Sequence, residues 1–384
     1  MSAGAPGDPL SAVGPQAPLV DHHCHGLVLG ELSPQDFEGF LTEADQPGAP
    51  GSPLDTQLGV ALRRWCAPVL DLEAGTGADA YLERRAELGG EEVARRFLRA
   101  AGVAAFLVDT GYRAGDLSSP PDLARLAGAE ALEVVRLEAV AEQVGAEGVA
   151  GARFADAVDA ALDRARGSAV AFKTIVAYRG GLHIDPTRPT RAEVDRAASA
   201  WLAEAARAGR YRLDHPVLLR HLLWAGVERG LPLQVHVGLG DPDLRLHRCD
   251  PSLLTDFLLA VRPHGVPVVL LHCYPYHRQA AYLAAVLPHV HLDLGLALNH
   301  VGARAWAVVA ETLELAPFHK VLFSSDAAGL AELFYLGATL FRRGLGRVLA
   351  EWVEAGDWTL ADAHRVASLI AAGNARRCYH LAGP

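Results

Sequence analysis

The chain repeatedly gathers a short run of apolar residues and closes it with a polar or ionisable one. Such runs lie at Leu19–His25, Ala104–Asp109, Glu133–Glu138, Ala169–Lys173, Leu233–Val237, Val266–His272, Val290–Leu294 and Lys320–Ser325. Short apolar runs bounded by turn formers predict strands, and near-continuous apolarity predicts burial on both faces. Between most of them apolar positions fall at helical spacing, over Leu123–Glu130, Ala155–Arg166, Ala192–Ala208, Pro216–Arg229, Pro251–Val261, Arg278–Val286 and Ala303–Leu315. Strands alternating with helices predict a parallel α/β sheet covered by helices, and eight units predict a closed (β/α)8 TIM barrel. No glycine-rich phosphate fingerprint follows the first run, which argues against a dinucleotide-binding fold. No repeat of fixed period points to a solenoid.

Three stretches stand outside the alternation. Residues 1–18 are mostly Gly, Pro, Ala and Ser, with neither the basic start nor the apolar centre of a secretory signal, and are expected to be a disordered lead. Residues 26–102 hold helical patterns (Pro34–Thr42, Asp55–Cys66, Ala78–Ala101) broken by Gly/Pro-rich Gln46–Pro53, and are expected to form a helical insertion capping one end of the barrel. Residues 342–381 are expected to add two or three helices packed outside it. Residues 19–384 are thus read as a single domain.

Half of the 384 residues are apolar, enough for a large core, yet no stretch reaches the roughly 18 consecutive apolar residues of a membrane span. A formal charge of −10 argues against nucleic acid or an anionic membrane as main partner. Five scattered cysteines without a CxxC pair suit reduced thiols and a cytoplasmic location. Lysine occurs only at Lys173 and Lys320, arginine supplying every other long basic side chain.

In such a barrel the chemistry sits at the C-terminal ends of the strands. The runs end there in His23 and His25, Lys173, His236, His272 and Asp326. Side chains two apart on a strand share a face, so His23 and His25 can hold one ion. Each residue alone has an ordinary reading: a hydrogen-bonded scaffold histidine, a snorkelling lysine, or a helix N-cap at Asp326. Six together at strands one, four, five, six and eight do not. His23, His25 and Asp326 would hold one divalent ion, and His236 and His272 a second. A lysine ammonium cannot ligate a cation, but burial favours the neutral amine, which can capture carbon dioxide as an anionic, bridging carbamate. Paired ions lower the pKa of a shared water toward 7, and Asp326 can relay its proton to the leaving group.

His-x-His, Lys, His, His, Asp in this order resembles the amidohydrolase superfamily, over Leu19 to Ala327. Phe172–Leu182, Leu233–Gly238, Leu271–Arg278 and Gly373–Arg377 further resemble the amidohydrolase-like half of fungal and plant proteins fused to a glutamine-synthetase domain. The resemblance implies a zinc-dependent hydrolase of an amide or other C–N bond, with γ-glutamyl amides hinted at by the synthetase association. A neighbouring branch keeps a single zinc and carries out decarboxylation or lyase chemistry, with His272 as acid/base. The metal could also be manganese or iron.

Beyond the strand ends, Tyr178, Arg179, Arg245, His277, Arg278, Asn299 and His300 are expected to line the substrate pocket. Arginine forks pair with carboxylates, so the substrate is expected to be a small, anionic, amino-acid-like molecule. Arg136 and Glu138 would face the same way and brace the lysine or a ligand. A homo-oligomer is left open. A catalytically silent barrel serving as a binding partner is the reading from another functional class.

Overall fold

The computed structural model describes residues 18–46 and 48–382. The expected lead therefore lies outside the described residues except for Pro18. Seven of the apolar runs form strands: β1 (Leu19–Cys24), β2 (Val103–Asp109), β3 (Glu130–Arg136), β4 (Ala171–Thr174), β5 (Leu233–Val237), β6 (Val268–His272) and β7 (Val290–Leu292). They pair in chain order, every neighbour parallel, as strand–helix–strand crossovers require.

The eighth run behaves differently from the expectation. It lies between β7 and β1 but forms no regular strand: Leu322 N–H donates to Leu292 C=O (2.9 Å), His22 N–H to Phe323 C=O (3.2 Å) and Asp326 N–H to His23 C=O (3.0 Å). The ladder stops because the buried Asp21 carboxylate takes the Ser325 N–H at 2.9 Å and the Ser325 hydroxyl besides. The ring nevertheless closes through these bonds and one bridge between Leu292 and Val321.

Strand alternation splits the apolar residues into two sets. Val20, Ala105, Leu107, Val134, Ala171, Val269, Leu271 and Leu322 pack together inside the ring. A larger layer joins the outer strand faces to the helices. The tail corrects the expectation that it packs only outside. Ala375, Cys378 and Tyr379, in and just after the helix Asn374–Cys378, belong to the inner set and stop the barrel from below.

Helix ends follow local chemistry. Thr190 and Glu193 form a reciprocal capping box at the start of Arg191–Ala208. The pattern expected as one helix over Ala78–Ala101 is two, Ala78–Leu88 and Gly90–Ala101, parted by Gly89 at φ 77°. A single helix, Ala331–Glu354, crosses the expected start of the tail at Arg342, and it begins five residues after Asp326, which therefore caps nothing. Glu138 leaves the expected third strand for the helix Leu137–Ala146, so it does not share a strand face with Arg136.

The insertion is pinned to the barrel by one buried ion pair. Fully buried Glu332 accepts from Arg85 Nε at 2.8 Å and from the Tyr81 hydroxyl at 3.3 Å. Removing one partner of such a pair leaves the other charge buried and unmatched. Glu332→Ala is expected to destabilise the protein by about 3–5 kcal/mol in denaturant unfolding. A loss under about 1 kcal/mol would show that the insertion is held by apolar packing alone.

Candidate active site

All six residues expected at the strand ends meet at one end of the barrel. Asp326 stands at the centre. Its Oδ1 lies 3.1 Å from His23 Nε2 and 3.4 Å from His25 Nε2, and its Oδ2 lies 3.3 Å from His272 Nδ1. Lys173 Nζ is 3.0 Å from His23 Nε2. The His236 and His272 rings are 4.6 Å apart, and His272 is 5.6 Å from His23.

Backbone irregularity aims these groups. Pairing of β1 with β2 shifts register between Asp21 and Cys24, and the adjacent His22 and His23 both reach partners inside the barrel. His272 and Asp326 adopt positive φ, 69° and 50°, as does Cys273 at 61°. Non-glycine residues rarely take this conformation, at a cost of about 1–3 kcal/mol each, and such strain gathers at functional sites. Gly295 leaves room beside them, because a Cβ there would come 2.3 Å from Ser324 Oγ.

Hydrogen bonds decide which imidazole nitrogens are free. His23 Nδ1 faces Gln234 Oε1 at 2.9 Å. The Gln234 amide is oriented by its own donation to the His22 carbonyl (2.8 Å), so its oxygen must accept from His23. His25 Nδ1 likewise donates to the Asp109 carbonyl at 3.2 Å. Both histidines therefore carry their proton on Nδ1 and present a bare Nε2 lone pair towards Asp326.

Burial sets the charges. It pulls the Lys173 ammonium below its ordinary pKa, with Asp109 at 3.8 Å opposing and Arg136 assisting. Burial, backed by the Lys173 charge, brings His23 down to about 3, and burial also lowers His236 and His272. It would raise Asp326 too, but positive charge on the surrounding imidazoles, His272 foremost, holds that carboxyl well below its usual range. A divalent ion would supply that positive charge with the imidazoles neutral, the protonation states metal ligation needs.

The donor set fits a divalent ion. The ligand atoms of His23, His25 and Asp326 all lie within 4.8 Å of one another. His236 Nε2, His272 Nδ1 and Asp326 Oδ1 are buried without a hydrogen-bond partner, a costly state unless something binds there. The site opens into a cavity in two adjoining parts of about 300 and 380 Å³, both lined by Glu43, Tyr112, Asp241, Asp243 and Asp326.

A family model described as amidohydrolase matches residues 58–381. The chain belongs to the amidohydrolase family. A candidate metal-dependent hydrolase from Lactobacillus casei ATCC 334 has a crystal structure similar to it, with 30% identity, a TM-score of 0.85 and 97% of each chain covered. Protein fluG of Emericella nidulans is 29% identical over 405 residues; the alignment covers 95% of this chain and 46% of that protein. The chain thus spans about half the length of this curated relative. Uronate isomerase of Thermotoga maritima shares the fold, with a TM-score of 0.61 at 15% identity and 96% of each chain covered.

Of the expected pocket residues in this amidohydrolase, Tyr178, Arg179, Asn299 and His300 line the cavity. Arg245, His277 and Arg278 are engaged elsewhere. Arg245 donates to the carbonyls of Pro242 and Leu244, His277 meets Glu311 at 2.7 Å, and Arg278 pairs with Glu314 at 3.0 Å. Arg136 does brace the site, through Asp109 at 2.6 Å, whereas Glu138 accepts from Thr174 and Ile175 at the end of β4.

Four supporting residues escaped the sequence reading. Asp109 ends an apolar run just as the expected ligands do, and Asp293 interrupts one, so their signal was present. Asp293 accepts from the His272 N–H and from Ser324 Oγ at 2.7 Å, and its Oδ2 lies 2.8 Å from His22 Nε2. Gln234 and Tyr379 carried no such signal. Gln234 also donates to the Tyr379 hydroxyl at 3.0 Å, and that hydroxyl lies 2.9 Å from His22 Nδ1. The tail thereby reaches the first-strand histidines.

The cysteines Cys24, Cys66, Cys249, Cys273 and Cys378 are all free and buried. Among the described residues no helix is long and apolar enough to cross a membrane.

Proposed function

We propose that this amidohydrolase cleaves an amide or other C–N bond with a divalent metal centre, zinc being the metal best suited to imidazole ligands. The observation that carries this reading is the meeting of His23, His25, Lys173, His236, His272 and Asp326 at one mouth, with three of their atoms unpartnered. His23, His25 and Asp326 would hold one ion, and His236 and His272 a second, with Lys173 bridging as its carbamate. When bound, the metal supplies hydroxide at neutral pH and polarises the substrate carbonyl.

The side chains do the rest. Asp326 takes the proton of the attacking water and delivers it to the departing nitrogen, so that amide and water become carboxylate and amine. Tyr178 stands over His236, its ring 4.6 Å from that imidazole, and with Arg179 in the same cavity wall would shape the approach. Gln234 fixes the His23 tautomer. Gln234→Leu is expected to weaken zinc binding about ten- to a hundredfold, measured by competition with a chromophoric chelator. Unchanged affinity would remove Gln234 from the positioning of His23.

The deciding experiment is metal content together with the native mass of the protein. Two ions and about 44 Da of added mass, one carbon dioxide, support the bridged centre. The compact cluster of His23, His25 and Asp326 favours a second reading, a single-ion decarboxylase or lyase with His272 as acid/base. One ion and an unmodified Lys173 would establish that reading instead.

A further inference from the structure

Where the cavity opens, negative charge outnumbers positive. Glu43, Asp241 and Asp243 line both of its parts and Asp45 one of them. Each guanidinium in the same wall already has an acidic partner: Arg136 has Asp109, Arg179 has Glu142 at 3.2 Å, and Arg212 has Asp243 at 3.1 Å. Glu43 pairs with His300, at 3.3 Å. Among the described residues no arginine or lysine forms an ion pair with Glu43, Asp45 or Asp241. Burial lifts the Asp241 carboxyl above its ordinary range, and the charges of Asp243 and Glu43 add to the effect. An anionic substrate, the expectation drawn from arginine, would find no unpaired arginine here and several carboxylates.

Two further observations point to a ligand. His236, only 4% exposed, lines the same cavity with an unpartnered Nε2, so the floor as well as the rim is built to bind. Tyr112 lines both parts of the cavity, its ring 5.0 Å from that of His25. The ring already carries the Arg136 guanidinium, 5.9 Å from its centre, so it is a face that cations meet in this cavity.

We propose that the substrate carries an ammonium group, bound at the rim by Glu43, Asp45 and Asp241 while its scissile bond lies over His23, His25 and Asp326. This rests on the hydrolytic reading above and names the substrate class it needs: amides with a cationic arm. A γ-glutamyl amide falls within the class when the amine it would release carries a further ammonium. An amide whose only charge is a carboxylate does not.

The test is equilibrium binding by calorimetry at low salt, with the protein as purified. The probes are N-(aminoalkyl)acetamides of increasing arm length, the N-alkylacetamides in which methyl replaces the ammonium, and the matching N-acetyl amino acids with a carboxylate arm. At the best length the ammonium probe is expected to bind at least about tenfold tighter than its neutral twin, with the carboxylate probe weakest. That advantage should shrink with added salt and vanish in the double variant Glu43→Gln, Asp241→Asn, leaving neutral-probe affinity unchanged. Equal affinities, a preference for carboxylate, an ammonium preference that survives the double variant, or no binding by any probe would each overturn the proposal. Amine release from the same probes is assayed separately, so a protein that cleaves none of them yet keeps the contrast would sink the hydrolytic reading alone.

Discussion

Asp326→Asn is expected to lower kcat/KM at least about a thousandfold on any amide the wild-type protein cleaves. The single carboxylate faces three imidazoles at 3.1, 3.4 and 3.3 Å, so on the proposed hydrolytic reading it would serve as ligand and as proton carrier at once. An amide of the same shape cannot accept the water proton, and it removes the negative charge around which the neutral imidazoles are gathered. Loss of stability is not the cause to expect, because Asn fills the same space and the Asp326 N–H bond to His23 is backbone. Steady-state kinetics with a matched thermal melt separates the two effects. Turnover within tenfold of wild type would take Asp326 out of the proton path.

Lys173→Ala should cost one metal ion and about a hundredfold or more in turnover. Lys173 is buried on β4, on the strand face that Ala171 turns into the barrel, with its amine between His23 and Asp109. Burial favours the neutral amine, the form that reacts with carbon dioxide. The variant leaves a gap of the right character for a small carboxylate, so added formate or acetate should restore part of the activity and the second ion. Elemental analysis with and without formate reads the outcome. A variant that keeps both ions and full turnover excludes the bridge. One that loses activity and recovers neither ion nor rate with formate limits Lys173 to a charge or packing role.

The strand ends were legible because buried parallel strands leave few polar positions, and a parallel barrel collects all its C-terminal ends at one mouth. His23, His25, Lys173, His236, His272 and Asp326 each broke an apolar run, and nothing in their chemistry suits the interior of a strand. The supporting residues are another matter. Gln234 sits inside β5 between apolar neighbours and Tyr379 near the end of the tail. Their partnership joins positions 145 apart in sequence, which no local pattern encodes. The arginines show the same limit. Arg179, Arg245 and Arg278 follow strand ends as a carboxylate-binding residue would, but the partner that occupies each guanidinium comes from a different element or from the loop's own carbonyls.

Composition and periodicity by themselves determined the alternating strands and helices, the closed barrel and the six ionisable side chains at its mouth, since each follows from where apolar residues stop. Tertiary structure alone decided the bare Nε2 atoms of His23 and His25, the tail residues that stop the barrel from below, and the acidic rim. The physical reason is that charge and proton position depend on which groups meet across space, and those meetings bring together residues that are remote along the chain.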